Sequence, residues 1–249
     1  MESRLEARNL SFSFGPKTII QSINLELFPG DSYAVWGASG GGKSTLIRLL
    51  AGLIPVAGGS VRFEGVDLVS APKKTLQDLR MRMGLVFQEG ALISNMSVYD
   101  NIALPLRYHF RLNEERVSDR VGEIMSLLGI ERDWDQDIPA QISMGVRKRV
   151  AFARALILKP SLLLLDEPTH GLEEETARRI IQVLKRHQEE TGAAILFTTG
   201  EESLTLSLAN RIGLLQSGRI SLEGPPGEIL SKMRKEKSMQ SPLPTTGRT

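Results

Sequence analysis

Lys43 and Ser44 close a run, Gly37-Ala38-Ser39-Gly40-Gly41-Gly42-Lys43-Ser44-Thr45, whose glycines, ammonium and hydroxyl have the spacing of a phosphate-binding loop. Main-chain N–H groups of such a turn wrap phosphate oxygens, and a Cβ at Gly37 or Gly42 would obstruct that approach. Lys43 supplies a point charge for β- and γ-phosphates, and the Ser44 hydroxyl is placed to ligate Mg²⁺. Further on, Asp166 and Glu167 are adjacent carboxylates. Asp166 can hold Mg²⁺ through water while Glu167 takes a proton from an attacking water. Gln88 offers an amide oxygen to a metal or a water. Together these residue types describe binding and hydrolysis of a nucleoside triphosphate. A chance match to the four fixed positions of the glycine loop in a chain of this length is on the order of 1%, so an accidental glycine-rich turn is the poorer account.

The elements that must hold these groups follow from hydrophobic patterning. Tyr33-Ala34-Val35-Trp36 reads as a short buried strand leading into the loop, and residues 45–51 read as a helix closed by Gly52. That helix adds its N-terminal dipole to the cradle. Ser161-Leu162-Leu163-Leu164-Leu165 is an unbroken apolar run suited to a strand buried on both faces of a parallel sheet. It delivers Asp166 and Glu167 to the C-terminal edge, where open α/β sheets bind ligands. Met83-Gly84-Leu85-Val86-Phe87 is read as another strand, ending at Gln88, and Ala193-Ala194-Ile195-Leu196-Phe197 as a third, ending at Thr198-Thr199-Gly200-Glu201 after a helix over 174–187.

Around this core the chain alternates apolar and polar residues at Leu10-Ser11-Phe12-Ser13-Phe14, Ile23-Asn24-Leu25-Glu26-Leu27 and Ser60-Val61-Arg62-Phe63-Glu64-Gly65. A small antiparallel β-lobe built from both sides of the glycine loop is expected. Phe14 could stack on a nucleobase from this lobe, or be a plain core aromatic. Helix-start signatures at Ser97 and Asn113, with Val117, Val121, Ile124 and Leu128 on one face, imply an inserted helical lobe over roughly 92–156. It closes on a helix capped by Ser143, with a basic first turn at Arg147-Lys148-Arg149. Ile212-Gly213-Leu214-Leu215 and Arg219-Ile220-Ser221-Leu222 form a hairpin around Ser217-Gly218. Residues 1–231 are expected to form one domain, and 232–249 a polar, disordered tail.

Composition narrows the partners. The 249 residues carry 31 basic and 29 acidic side chains, a net charge of +2, which makes no field for nucleic acid. No nucleic-acid partner is expected. There are no cysteines, so a disulfide framework and thiolate metal sites are excluded. The opening Met1-Glu2-Ser3-Arg4 has no apolar signal region, and no apolar run approaches bilayer-spanning length. Any membrane role must come through a partner.

The sequence resembles the nucleotide-binding subunits of ATP-binding cassette (ABC) transporters over roughly residues 4–230. The glycine loop 37–45 is similar to that family's Walker A segment, Gln88 to its Q-loop glutamine, Asp166 and Glu167 to its Walker B carboxylates, Phe14 to its adenine-stacking aromatic, and the helix over 142–154, with Ser143 and Gly145, to its signature. The resemblance implies a P-loop NTPase (RecA-like) α/β core with an antiparallel β-subdomain and an inserted α-helical subdomain. ATP and Mg²⁺ are the implied ligands, Ser44, Gln88 and Asp166 the implied metal ligands, and Glu167 the implied catalytic base. A head-to-tail dimer and an integral-membrane permease are the implied partners, placing the chain at the cytoplasmic face of the inner membrane. The stretch from Phe87-Gln88-Glu89-Gly90 to Leu104-Pro105-Leu106-Arg107 is similar to the bacterial phospholipid-trafficking (Mla, or Mce-associated) branch, which implies lipid transport and an Mce-type lipid-binding partner.

Three positions depart from the family pattern. Ile142-Ser143-Met144-Gly145-Val146 has Met144 where the signature has a glycine. Glu173 stands for the aspartate after Walker B, and Thr199-Gly200-Glu201 stands where Thr-His-Asp is usual, so Gly200 replaces the switch histidine. Intact Mg-ATP binding with slowed hydrolysis is therefore expected, and a catalytically weak regulatory subunit is the alternative.

Overall fold

Leu162 through Leu165 leave no polar side chain for a wet face, and the fold covers the strand they form on both sides. The computed structural model describes residues 2–110 and 112–240. In chain order the strands are β1 (Leu5–Phe14), β2 (Lys17–Leu27), β3 (Ser32–Trp36), β4 (Gly58–Phe63), β5 (Val66–Asp67), β6 (Met83–Val86), β7 (Leu162–Asp166), β8 (Ala194–Thr199), β9 (Arg211–Gln216) and β10 (Arg219–Gly224). The helices are α1 (Lys43–Leu50), α2 (Lys73–Arg80), α3 (Val98–His109), α4 (Glu114–Leu128), α5 (Met144–Leu156), α6 (Glu174–Thr191), α7 (Glu202–Leu208) and α8 (Pro226–Gln240).

The main sheet has six strands in the order β10-β9-β3-β8-β7-β6. Its strands run parallel except β10, which pairs antiparallel with β9. Side chains alternate across it: Leu162, Leu164 and Leu196 enter one core with α1 and the β-lobe, while Leu163, Leu165 and Phe197 enter the other with α3 to α8. The predicted β-lobe is a four-stranded antiparallel sheet, β2-β1-β4-β5, and β4 indeed lies beyond the glycine loop in sequence.

The helical lobe follows its caps. Ser97 Oγ accepts from Asp100 N at 3.1 Å, Asn113 Oδ1 from Arg116 N at 3.2 Å and Ser143 Oγ from Val146 N at 3.3 Å. Gly129 ends α4 in the left-handed region at φ 64°. Val117, Val121, Met125 and Leu128 bury the α4 face that packs against α5.

The chain departs from expectation at its far end. Helix α8 continues to Gln240, nine residues into the segment read as a disordered tail from 232; residues 241–249 lie outside those described. Ile229 and Leu230 are buried in the core, which contributes about 2 kcal/mol each, and the ion pairs Lys232–Glu228 and Arg234–Glu202 fasten the polar turns. Helices α2 and α7 also escaped the sequence patterning, because each is only about two turns long with an irregular apolar face.

Candidate functional site

Parallel registers decide what meets at the sheet edge. Trp36 pairs with Thr199 and Asp166 with Thr198, so β3, β7 and β8 end level with one another. The chain leaving β3 is the glycine loop, that leaving β7 is Glu167, and that leaving β8 is Gly200. Residues more than a hundred apart in sequence thereby share one edge.

In the glycine loop, Gly41 N donates to Ala38 O at 3.1 Å, closing a tight turn through Ser39 and Gly40. Gly42 is the N-cap of α1 at φ 97°, with no side-chain cap, so the helix's first N–H groups are left for a ligand. The glycine requirement has a cause within the protein itself. At Gly37 an added Cβ would lie 2.9 Å from Leu215 O of β9, and at Gly42 it would meet Ile19 Cγ2 at 3.1 Å in a backbone region that L residues rarely adopt. Packing against the protein alone therefore constrains both positions. Lys43 heads α1 with Ser44 and Thr45 following it, and its buried ammonium donates to Gly37 O at 2.8 Å and Ala38 O at 3.3 Å.

The carboxylates stand opposite. Glu167 Oε1 lies 3.0 Å from Lys43 Nζ. Thr198 Oγ1 donates to Asp166 Oδ1 at 2.6 Å and accepts from Glu167 N at 3.0 Å, so one hydroxyl braces both acidic residues. Glu167 itself adopts φ 46°, held in the left-handed region by these contacts. Beyond it, Thr169 Oγ1 donates to Glu201 Oε2 at 3.0 Å, tying the loops after β7 and β8.

Gln88 lies exposed in the turn after β6. Its carbonyl accepts from Lys148 Nζ at 2.7 Å, and the same ammonium donates to Glu167 O at 2.9 Å. Arg154 holds the rest of that turn through Gly90 O at 3.0 Å and Ala91 O at 2.9 Å. Lys148 thus corrects the reading of a basic first turn: it is buried, and the burial lowers its pKa to about 8 against the upward pull of Asp166, Glu167 and Glu201. Phe14 is 58% exposed at the end of β1, edge-on to Phe12 at 4.7 Å, which rules out the core-aromatic alternative.

At the head of α5 the Ser143 hydroxyl is taken up as N-cap, Gly145 follows in the first turn, and Met144 turns its methyl toward Gly171 of the loop after β7. Glu173 is the N-cap residue of α6. Gly200 has open space where a side chain would go. His109 packs edge-on to Tyr108, and His170 lies exposed in the loop after β7.

Thr198 and Lys148 are the site residues that sequence reading missed. For Thr198 the available signal was a pair of threonines ending an apolar strand; for Lys148 it was a lysine in the i, i+4, i+8 row with Phe152 and Leu156, both buried. Ser44, Gln88 and Asp166 are oxygen donors of the kind Mg²⁺ prefers, and Ser44 stands in the uncapped first turn of α1, so the residues fit a magnesium nucleotide.

Residues 20–170 match the family model described as ABC transporter. Among curated proteins, the chain is 37% identical over 230 residues to a sulfate/thiosulfate import ATP-binding protein from Cucumis sativus, covering 90% of this chain and 63% of that protein. It is 39% identical over 223 residues to the methionine import ATP-binding protein MetN of Mesorhizobium japonicum, covering 90% of this chain and 60% of that one. The chain thus spans less than two thirds of the length of these relatives. Among solved structures it matches the dimeric ATP-binding cassette MJ0796 bound to ADP and Pi at TM-score 0.83 and 28% identity, covering 89% of this chain and 98% of that one. With the edge geometry and these likenesses in agreement, the chain belongs to the ABC transporter family, whose nucleotide-binding domains take ATP with Mg²⁺.

Proposed function

We propose that this chain is the ATP-hydrolysing subunit of a membrane transporter, working as a dimer that ATP closes and hydrolysis reopens. The observation that carries the reading is the meeting of Lys43, Asp166, Glu167 and Thr198 at one sheet edge beside the glycine loop. Lys43 exchanges its carboxylate partner for the β- and γ-phosphates, while the N–H groups at the start of α1 hold phosphate oxygens. Ser44, Gln88 and Asp166 would hold magnesium, which would supply charge neutralisation at the phosphates. Glu167, pinned by its main chain, accepts the proton of the attacking water. Phe14 stacks on adenine, and Ser143 and Gly145 present the α5 N-terminus to the nucleotide of a second subunit.

The permease is received by a cleft of about 400 Å³ between the Gln88 turn and α3, lined by Phe87, Ala91, Leu104, Pro105, Tyr108 and Arg154. Tyr108, 70% exposed, offers the large apolar surface that a docking helix needs. Among the described residues no helix is long and apolar enough to cross a membrane, so the tie to the cytoplasmic face of an inner membrane runs through that partner. The transported solute is a phospholipid, with an Mce-type lipid-binding subunit in the complex; the support is the likeness of the stretch 87–107 to the lipid-trafficking branch. The relatives named above import sulfate or methionine, so a small polar solute is the competing assignment.

A second reading, a regulatory subunit that binds ATP and turns it over slowly, is favoured by Met144, Glu173 and Gly200. Affinity purification from membranes, with phosphate release and lipid extraction measured on the complex, tests both. Copurifying permease with brisk turnover abolished by Glu167→Gln supports the motor. Copurification with turnover no faster than Glu167→Gln supports the regulatory subunit, and recovery without any membrane protein overturns both.

A further inference from the structure

Helix α5 carries a lysine on its buried side. Lys148 is 2% exposed, in line with the buried Phe152 one turn on, and it faces the carboxylates of Asp166, Glu167 and Glu201. Removing an ammonium from water is costly unless it is fully met by acceptors. Here the acceptors are two main-chain carbonyls from different parts of the site, Gln88 O at 2.7 Å and Glu167 O at 2.9 Å. A side chain buried at such expense against those two atoms fixes where they sit.

The neighbouring contacts give that fixing a direction. The turn 88–91 rides on α5 as one body, since Arg154 of the same helix donates to Gly90 O and Ala91 O. Glu167 is clamped from its other side by Thr198, whose hydroxyl accepts the Glu167 N–H at 3.0 Å. With φ at 46°, its carboxylate direction depends on both peptide groups being held. Lys148 is therefore the point at which the body formed by α5 and the Gln88 turn grips the strand end that bears the base.

We propose that Lys148 is a positioning residue that transmits the placement of α5 to both Gln88 and Glu167, so that the base is aligned for water only when the helical lobe is seated. This rests on the hydrolytic reading of the site. It assigns to α5 a mechanical role within its own subunit, separate from what its N-terminus offers a partner.

The test uses the full chain with Lys148→Met, which removes both hydrogen bonds, and Lys148→Gln, which keeps a shorter donor. Hydrogen exchange without nucleotide is expected to rise about tenfold at 88–91 and 167–171, the worth of about one hydrogen bond, while 37–45 is unchanged. Phosphate release is expected to show kcat down about 10–100-fold with KM for ATP within about twofold. Should the methionine variant fail to fold, the glutamine variant carries the test with smaller effects in the same segments. Wild-type exchange at either segment, or a rise in KM without loss of kcat, overturns the proposal. A wild-type chain that binds Mg-ATP yet releases no phosphate overturns only the hydrolytic reading, because exchange without nucleotide still decides whether Lys148 holds both segments.

Discussion

Lys43 Nζ lies 3.0 Å from the Glu167 carboxylate and 2.8 Å from the Gly37 carbonyl, so the ammonium of the glycine loop is neutralised by the carboxylate that follows β7. An incoming triphosphate must displace that carboxylate from the ammonium. On the hydrolytic reading proposed above, binding and release of the base are the same event: phosphate takes Lys43, and Glu167 becomes free to face a water.

This pairing sets opposite expectations for two variants. Glu167→Gln removes the competitor for Lys43, so Mg-ATP affinity is expected to hold or rise, while turnover falls by about 10²–10⁴, the usual worth of a positioned base. Lys43→Ala is expected to lose affinity outright. Equilibrium binding beside phosphate release checks both, and a weakened Glu167→Gln would show that the carboxylate and the phosphate do not compete.

Thr198 braces the acidic pair through a single oxygen. Thr198→Val keeps the shape and removes the donor to Asp166 and the acceptor for Glu167 N. A stability loss of about 1–3 kcal/mol is expected from the unpaired buried groups. A higher magnesium requirement for turnover should accompany it. Urea denaturation and a magnesium titration read the two effects; wild-type values in both would remove Thr198 from the site.

At Gly200 no atom lies within 4 Å of an added Cβ, so the backbone there accepts the Cβ of Gly200→His without a clash. If the missing histidine limits hydrolysis, turnover in the assembled complex is expected to rise, by up to the ~10²–10³ that one charge-stabilising donor is worth. Unchanged phosphate release would place the limit at Met144 or Glu173 instead.

His187 gives the fold a dependence on acidity. Its ring is buried with Nε2 2.8 Å from Pro160 O, and burial lowers its pKa, with the Pro160 bond and nearby Glu190 pulling it up and Lys159 down. The folded state favours the neutral ring, so the unfolded chain binds the proton more readily. Stability is therefore full above the unfolded value near 6.5 and declines as pH falls below it. Urea midpoints at pH 7.5 and 5.5 should separate in the wild type and draw together in His187→Gln.

Local pattern was sufficient for much of this chain. The glycine loop, the apolar run before Asp166 and Glu167, and the caps at Ser97, Asn113 and Ser143 depend on neighbours within a few residues, and each stands where its residue types place it. Such features are decided by steric limits and by hydrogen bonds the nearby chain supplies. Lys148, by contrast, carries little local signature beyond its row with Phe152 and Leu156, and Thr198 little beyond its place at a strand end. Their roles come from pairing across distance: Asp166 opposite Thr198, and α5 laid against the Gln88 turn. The polar composition after 232 likewise concealed α8, because Ile229 and Leu230 find their cover on β-strands and helices remote in sequence. By itself the sequence determined the glycine loop and the strands and helices with strong local patterning, though not α2, α7 or the end of α8. Only the tertiary structure decided which main-chain carbonyls a buried ammonium would hold, since sheet register and helix docking are settled by burial summed over the whole chain rather than by any one segment.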